Sequence, residues 1–248
     1  MQRAAGNFVG YGGERLNIAY NADCMEYMAT LPDKAFDLAV VDPPYGDGNS
    51  QSDHGEKAQW NWFGGHFDRY KKVTRTGGTW AEKYGKRIIA WDVSPGPEYF
   101  KELFRVSRNQ VIWGGNYFQL PPSRCFLVWR KTNIPVKGFS MAPCEYAWTS
   151  FSENAKIFEF SSAGSGMGKR FHPTQKPIAL YEWVYQQFAK PGDKILDTHL
   201  GSGSSRLAAY TMGFDFVGCE IDKEYFKMQE ERFENYTAQT SLFHMEEI

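Results

Sequence analysis

One stretch near the carboxyl end constrains the fold more than any other. Residues 193–233, DKILDTHLGSGSSRLAAYTMGFDFVGCEIDKEYFKMQEERF, alternate an apolar run, a glycine turn, a helical pattern, a second apolar run and a second helical pattern. Short apolar runs joined through a helical segment are typical of parallel strands in a β-α-β unit. At 248 residues, the chain is long enough to build such a unit into one α/β domain.

The rest of the chain supplies further elements of the same kind. Apolar runs with turn residues at their ends predict strands over 15–20, 36–42, 109–115, 124–131, 144–150 and 156–161. Helical spacing of apolar residues predicts helices over 97–107 and 177–189, and Pro177 is tolerated in the first turn of the second.

Composition argues against several classes of protein. No apolar run approaches the ~20 residues needed to span a bilayer, and residues 1–10 lack the apolar core of a signal peptide. The four cysteines contain no CxxC pair, which argues against a zinc site or a disulfide framework and is typical of a reducing cytoplasm. We therefore expect a cytoplasmic protein that has no metal site and no contact with a membrane.

Charge is distributed unevenly along the chain. The formal net charge is −1, yet residues 69–87 hold seven Lys or Arg and one acid, while residues 214–248 hold nine acids and three bases. Residues 46–87 keep no helix or strand period, and a loop of that length in a compact domain is usually functional, mobile or both. The basic cluster is either a surface for phosphates or a solvated loop.

The glycine turn within 193–233 has the features of a nucleoside site. Gly201 and Gly203 lie where a buried strand turns into a helix, and glycine there lets the backbone approach a ligand closely. Glu220 ends the next strand, 19 residues after Gly201, at an offset that suits hydrogen bonds from ribose hydroxyls. Position 206 is Arg, so the third glycine of a dinucleotide fingerprint is missing and a mononucleoside ligand fits better than NAD.

A second unusual stretch, VVDPPYGDGN, occupies residues 40–49. Two valines point to a buried strand, and the Pro43–Pro44 pair stiffens the backbone that follows it. The strand therefore ends by holding the Asp42 carboxylate and the Tyr45 ring on a rigid corner.

These two stretches together resemble the catalytic and cofactor motifs of S-adenosylmethionine-dependent amino-methyltransferases that act on DNA. The catalytic motif comes first and the cofactor motif about 150 residues later, which is the permuted order of the β-group. HPTQKP at 172–177 is similar to the adjoining cofactor motif, 21–46 is similar to the group's lead-in, and 109–118 and 145–151 resemble phage and prophage adenine methylases. The resemblance implies a single methyltransferase domain over 1–248 with a Rossmann-like α/β fold, a mixed twisted sheet and helices on both faces.

The resemblance also implies the chemistry: transfer of a methyl group to the N6 amine of adenine at specific DNA sites. This amine is a poor nucleophile because its lone pair is conjugated into the ring. Asp42 and the Pro43 carbonyl, held by Pro44, would accept its two N–H bonds and draw the nitrogen out of the ring plane. The base must first leave the duplex, and Tyr45 would stack on the flipped ring.

Cofactor roles carry over onto matching positions. Glu220 would bind the ribose of S-adenosylmethionine, and Gly201 and Gly203 would let the backbone pass beneath it. Three further residues would lie near its methionine part: Asp197, Lys176 and Ser204. Asp23 would lie beside the cofactor's adenine or the active site, or would simply cap a helix. His199 stands where the family usually has Phe, so it either stacks on the cofactor or is a polar substitute.

Several alternatives remain open at this stage. Cytosine-N4 methylation uses the same amine chemistry, although Asp in the first motif position is more typical of adenine enzymes. A non-catalytic DNA-binding subunit would retain the same fold. Cytosine-5 methylation would need a cysteine nucleophile in a Pro-Cys pair, and Pro143–Cys144 lies far from any catalytic motif of that class.

DNA is the expected partner, and a homodimer is possible. Residues 46–87 are predicted to form an inserted DNA-binding arm that is poorly ordered without DNA, unless their aromatic rings simply pack the loop onto the domain. The residues predicted to meet phosphates are Arg69, Lys71, Lys72, Arg75, Lys83, Lys86 and Arg87.

Overall fold

The computed structural model describes residues 16–45, 93–137, 142–164 and 170–245, with side chains up to residue 238. The strands are β1 (Asn17–Asn21), β2 (Phe36–Val41), β3 (Ser107–Trp113), β4 (Phe126–Lys131), β5 (Cys144–Thr149), β6 (Lys156–Phe160), β7 (Lys194–Asp197) and β8 (Asp215–Glu220). The helices are α1 (Cys24–Ala29), α2 (Pro97–Val106), α3 (Ile178–Phe188), α4 (Ser204–Met212) and α5 (Lys223–Met245), with a 3₁₀ turn at Gly115–Tyr117.

The eight strands form one mixed sheet in the order β1-β8-β7-β2-β3-β5-β4-β6. Strand β5 runs antiparallel to its neighbours β3 and β4, and the other pairs are parallel. From β2 the chain continues to β3 on one side, and from β7 it continues through α4 to β8 on the other side. The sheet therefore reverses its winding between β2 and β7, and ligands of open α/β sheets bind outside the carboxyl ends of the strands at such a point.

Helices cover both faces of the sheet, as the side-chain alternation of β2 shows. Leu38 and Val40 point into the core beneath α3 and α4, whereas Ala39 and Val41 point into the core beneath α1 and α2. All four are buried, which explains why this strand is apolar throughout rather than alternating. This arrangement confirms the predicted Rossmann-like α/β fold with a mixed sheet.

Every predicted strand and helix is present, and the differences lie at their ends. The helix predicted over 97–107 ends at Val106, because Ser107 has extended backbone and starts β3 directly. The strand predicted to reach residue 115 ends at Trp113, because Gly114 turns into the left-handed region at φ 69°. None of the helices in the described parts of the chain is long and apolar enough to cross a membrane.

Candidate active site

The two motifs singled out from the sequence lie side by side at the carboxyl edge of the sheet. Strands β2 and β7 are adjacent and parallel, with Leu38 opposite Ile195 and Ala39 opposite Leu196. Asp42 follows β2, and the turn that contains Gly201 follows β7. The catalytic and cofactor motifs therefore flank the point at which the sheet reverses its winding.

Asp42 and Tyr45 form the centre of the site on the β2 side. The Tyr45 hydroxyl donates a hydrogen bond of 2.8 Å to Asp42 Oδ1. The Tyr45 ring stacks on Tyr117, with centroids 4.7 Å apart and planes 14° from parallel, and meets Phe118 edge-on at 6.2 Å. Burial raises the pKa of Tyr45 well above its usual value, so its hydroxyl keeps the proton that it donates.

Lys176, from the HPTQKP segment, lies on the catalytic carboxylate. Its ammonium is 2.5 Å from Asp42 Oδ2 and 3.1 Å from Glu145 Oε2. Glu145 also forms an ion pair with Lys131, whose ammonium lies 2.6 Å from Glu145 Oε1. The predicted role of Lys176 near the cofactor's methionine part stays a prediction, and its contacts in the structure are with carboxylates.

Burial and pairing act against each other on these charged groups. Burial raises the pKa of Asp42, and the nearby Lys176 ammonium offsets that rise only in part. For Glu145 burial also favours the protonated form, but the ammonium groups of Lys176 and Lys131 together lower its pKa to about 2. Burial favours loss of the proton from Lys176, yet Asp42 and Glu145 keep its pKa above the usual value. The result is a cluster of paired acidic and basic side chains, largely shielded from solvent, at the edge of the sheet.

On the β7 side, a hydrogen-bonded turn holds the predicted cofactor residues. Asp197 is buried, and its carboxylate accepts hydrogen bonds from the His199 amide at 3.0 Å and from the Ser205 hydroxyl. Gly201 and Gly203 both have positive φ, at 51° and 75°. A Cβ on Gly201 would meet the His172 ring at 3.3 Å, so the turn is packed closely against the HPTQKP segment.

Ser204 and His199 have neighbours within the turn and around it. The Ser204 hydroxyl lies 3.2 Å from the Ser202 hydroxyl and accepts a hydrogen bond of 3.0 Å from Arg232 of α5. His199 Nδ1 lies 3.0 Å from the Thr198 hydroxyl, and burial lowers the pKa of His199 to about 4. His199 is therefore neutral near pH 7, which leaves both of its proposed roles open.

Glu220 closes the turn from the end of β8. Its Oε2 accepts the Gly201 amide at 2.8 Å and its Oε1 accepts the Asp222 amide at 2.9 Å. Burial raises the pKa of Glu220 to about 7, and those backbone hydrogen bonds only partly counteract it. Burial likewise raises the pKa of Asp197 to about 7. The turn thus places two carboxyl groups, the buried Asp197 and the half-buried Glu220, close to their titration point at neutral pH.

Asp23 follows β1 at the same edge, where it is the N-cap of α1. Its carboxylate accepts the Met25 amide at 2.7 Å. The backbone next to it is tied to β8, since the Ala22 amide donates to the Glu220 carbonyl at 3.2 Å. The helix-cap interpretation of Asp23 therefore describes a contact that is present, and its cofactor role stays a prediction.

Several residues at the site were not singled out from the sequence, among them Glu145, Lys131 and Gly114. Glu145 lies in a stretch that resembles known methylases but had no role assigned to it, although an acid in an otherwise apolar strand was a usable signal. Lys131 gave no such signal, because it ends a strand of ordinary composition. Gly114 was taken as part of a strand, and the Gly-Gly pair at 114–115 was the signal for a turn. The predicted phosphate contacts between residues 69 and 87 lie outside the described residues.

We expect Gly114→Ala to disturb the position of Tyr45. A Cβ at this residue would lie 2.0 Å from Tyr45 Cε1, and the left-handed backbone at φ 69° already disfavours a side chain. We expect a loss of roughly tenfold or more in the rate of the reaction that uses Tyr45, because displaced reacting groups lose their orientation. The rate constant and the thermal unfolding midpoint would both be measured.

Gly192→Ala is the matched control. Gly192 also has positive φ, at 90°, but a Cβ there would meet nothing within 4 Å. It carries the same kind of backbone strain without touching Tyr45. An equal loss of activity in the two variants would show that strain alone, rather than displacement of the ring, explains the effect.

Comparison with known proteins places this arrangement in a family. A family model described as DNA methylase matches residues 36–231. The type II methyltransferase M.HinfI of Haemophilus influenzae is 26% identical over 262 residues, covering 88% of this chain and 68% of that protein. The type II methyltransferase M.BglII of Bacillus subtilis is 25% identical over 247 residues, covering 86% of this chain and 67% of that protein.

A solved structure supports the fold. The chain aligns with PvuII DNA methyltransferase, described as cytosine-N4-specific, with a TM-score of 0.52 at 15% identity, covering 91% of this chain and 94% of the other. The family match runs from β2 into α5, so it includes the Asp42 motif, the glycine turn and Glu220. The chain therefore belongs to the DNA methylase family of N6 and N4 amino-methyltransferases.

Proposed function

We propose that this protein methylates the N6 amine of adenine at specific DNA sites, with S-adenosylmethionine as the methyl donor and with the target base flipped out of the duplex. The observation that carries the proposal is the position of Asp42 beside the glycine turn, across the point where the sheet reverses its winding. A base amine held by Asp42 would lie next to a cofactor held by the turn. The type II relatives favour a role in restriction–modification.

Asp42 has the acceptor capacity that this reaction requires. A carboxylate offers about four lone-pair sites, and in this site the Tyr45 hydroxyl and the Lys176 ammonium each occupy one. The remaining lone pairs are available to a base amine. The Pro43 carbonyl, whose backbone is stiffened by Pro44, would accept the second N–H and help to make the nitrogen pyramidal.

The β7 side fits a nucleoside-containing cofactor. Gly201 and Gly203 present backbone without side chains, and both Glu220 oxygens keep lone pairs beyond the backbone hydrogen bonds that they accept. Glu220 would accept the ribose hydroxyls, while Asp197 and Ser204 would lie near the methionine part. When bound, S-adenosylmethionine supplies a methyl group activated by a positively charged sulfur. The residues of this chain orient the amine toward it, and orientation accounts for much of the rate in such reactions.

Adenine is proposed over cytosine because the motif starts with Asp42, as the resemblance to adenine enzymes suggests. The test is to incubate the protein with S-adenosylmethionine and mixed-sequence DNA and to identify modified nucleosides by mass spectrometry and their context by sequencing. N6-methyladenine in a recurring sequence supports the proposal. Detection of N4-methylcytosine instead would show that cytosine is the target. DNA without any new methyl group would refute the proposed function.

DNA contact is proposed for the basic cluster at 69–87 on its sequence alone. We expect reversal of charge at Lys71, Lys72 and Arg75 to weaken DNA binding and to lower the salt slope by about 3, because each phosphate that is no longer neutralised reduces the slope by roughly one. Cofactor affinity should stay the same. DNA affinity would be measured at several salt concentrations, with reversal of the exposed residues Lys223 and Lys227 as the control. An unchanged slope would assign DNA contact to another surface.

A further inference from the structure

Four side chains of alternating charge form a continuous row that ends at the catalytic carboxylate. Lys131 of β4 contacts Glu145 of β5 at 2.6 Å, Glu145 contacts Lys176 at 3.1 Å, and Lys176 contacts Asp42 at 2.5 Å. These side chains keep 10%, 24%, 3% and 12% of their surface exposed, in that order. We call these four residues the ion row.

Stability gives little reason for a row of this length. Burying an ion pair costs desolvation that the attraction between the charges often does not repay. Lys176 and Asp42 would already form a neutral pair, and Glu145 with Lys131 adds two more charges that must be desolvated. We therefore expect the outer pair, Glu145 and Lys131, to serve the chemistry at Asp42 rather than stability.

The geometry at Lys176 suggests a role for Glu145 and Lys131. Its ammonium lies between two carboxylates and nearer to Asp42, while Glu145 Oε2 accepts no well-aligned hydrogen bond from the described residues. The contact between Glu145 and Lys176 is therefore an ion pair, and its attraction for the ammonium opposes that of Asp42. Lys131 pairs with the other oxygen of the Glu145 carboxylate. The attraction between Glu145 and the Lys176 ammonium therefore depends on Lys131.

We propose that Glu145 and Lys131 are positioning residues for methyl transfer, which hold the Lys176 ammonium between two carboxylates so that it orients Asp42 without neutralising it. This inference rests on the proposed function, in which Asp42 accepts hydrogen bonds from the target amine. If the Lys176 ammonium were paired with Asp42 alone, it would neutralise that carboxylate more fully, and Asp42 would be a weaker hydrogen-bond acceptor. With the row intact, Asp42 keeps a fixed orientation and retains charge for the base.

The proposal predicts that removing the charge of Glu145 and removing the charge of Lys131 shift the pKa of Asp42 in opposite directions. Five ionisable groups face Asp42 from the elements packed around it: Lys176, Glu145, Tyr45, Tyr181 and Asp197. Removing the negative charge of Glu145 stabilises the Asp42 carboxylate and should lower its pKa. Removing the positive charge of Lys131 should raise the pKa of Asp42. The reaction needs ionised Asp42. The acid limb of the pH–rate profile should therefore move to lower pH in Glu145→Gln and to higher pH in Lys131→Met.

The experiment measures single-turnover methylation of DNA against pH for wild type, Glu145→Gln and Lys131→Met. We expect both variants to lose roughly tenfold in the maximum rate, since a disturbed Asp42 loses its alignment, with KM for DNA and cofactor affinity unchanged. Lys131→Arg keeps the charge and should restore both the rate and the profile. Glu159→Gln is the control, since Glu159 forms an exposed 2.6 Å pair with Arg130 on the neighbouring strands.

The outcomes separate this inference from the proposed function. Wild type that transfers no methyl group to DNA overturns both. Active wild type with acid limbs that shift in the same direction in the two variants, or do not shift, overturns the inference alone and makes the row a structural feature. If Glu145→Gln does not fold, the shift of the acid limb in Lys131→Met and its reversal in Lys131→Arg still test the inference, because a loss of folded protein would lower the rate without moving the acid limb.

Discussion

Asp42→Ala is expected to abolish methyl transfer, with a loss in kcat of at least about 100- to 1000-fold. The mutation removes the acceptor that would draw one N–H of the amine out of the ring plane, and losing one such preorganised group at a reacting centre costs this much. It also leaves the Lys176 ammonium buried with Glu145 as its remaining close carboxylate. Turnover would be measured with saturating cofactor and DNA.

Binding of S-adenosylmethionine should largely survive Asp42→Ala, because most of the proposed cofactor residues lie at the carboxyl ends of β7 and β8 and in the turn between β7 and α4, rather than on β2. Calorimetry of cofactor binding checks this. The control is Asp37→Ala, which removes a carboxylate from the same strand where it pairs with Arg108 at 3.4 Å, away from the site. Turnover near the wild-type rate in Asp42→Ala would remove Asp42 from the reaction.

Glu220→Gln is expected to weaken cofactor binding by about 1–3 kcal/mol, a factor of roughly 5 to 150 in Kd. The substitution keeps the shape of the side chain and an acceptor for the Gly201 amide, but it removes the charge that would strengthen hydrogen bonds from the ribose. Glu220→Ala should weaken binding at least as much, because the glycine turn then also loses the 2.8 Å bond to Gly201.

The same residue predicts how cofactor affinity depends on pH. Because burial raises the pKa of Glu220 to about 7, the free protein holds a proton there below that pH. Ribose hydroxyls favour the carboxylate, so binding should release a proton and tighten as pH rises through about 7. Glu220→Gln should flatten this dependence, apart from the contribution of Asp197, whose pKa burial also raises to about 7.

The control for these measurements is Glu224→Gln, an exposed acid in the first turn of α5. It changes the same charge on the same part of the chain without entering the glycine turn. A Kd for Glu220→Gln equal to that of wild type would show that Glu220 serves the turn alone and that the ribose binds elsewhere.

Much of the fold was determined by local sequence. The apolar runs in the sequence predict β2, β7 and β8 as strands that are buried on both faces. The alternation of side chains between the two faces of each strand then follows from its backbone. The turn at Gly201 and Gly203 was also determined locally, because positive φ is open to glycine at little cost. The helix cap at Asp23 was visible beforehand too, since an Asp before a short helical pattern is a local signal.

The tertiary structure alone decided which of these pieces meet. Asp42 and Lys176 are 134 residues apart, and they touch because β2 and β7 become neighbours in the sheet while the segment before α3 crosses the carboxyl edge. The roles inferred for Glu145 and Lys131 likewise depend on the pairing of β4 with β5. Strand order and the balance between burial and ion pairing are properties of distant contacts, so no local pattern in the sequence encodes them.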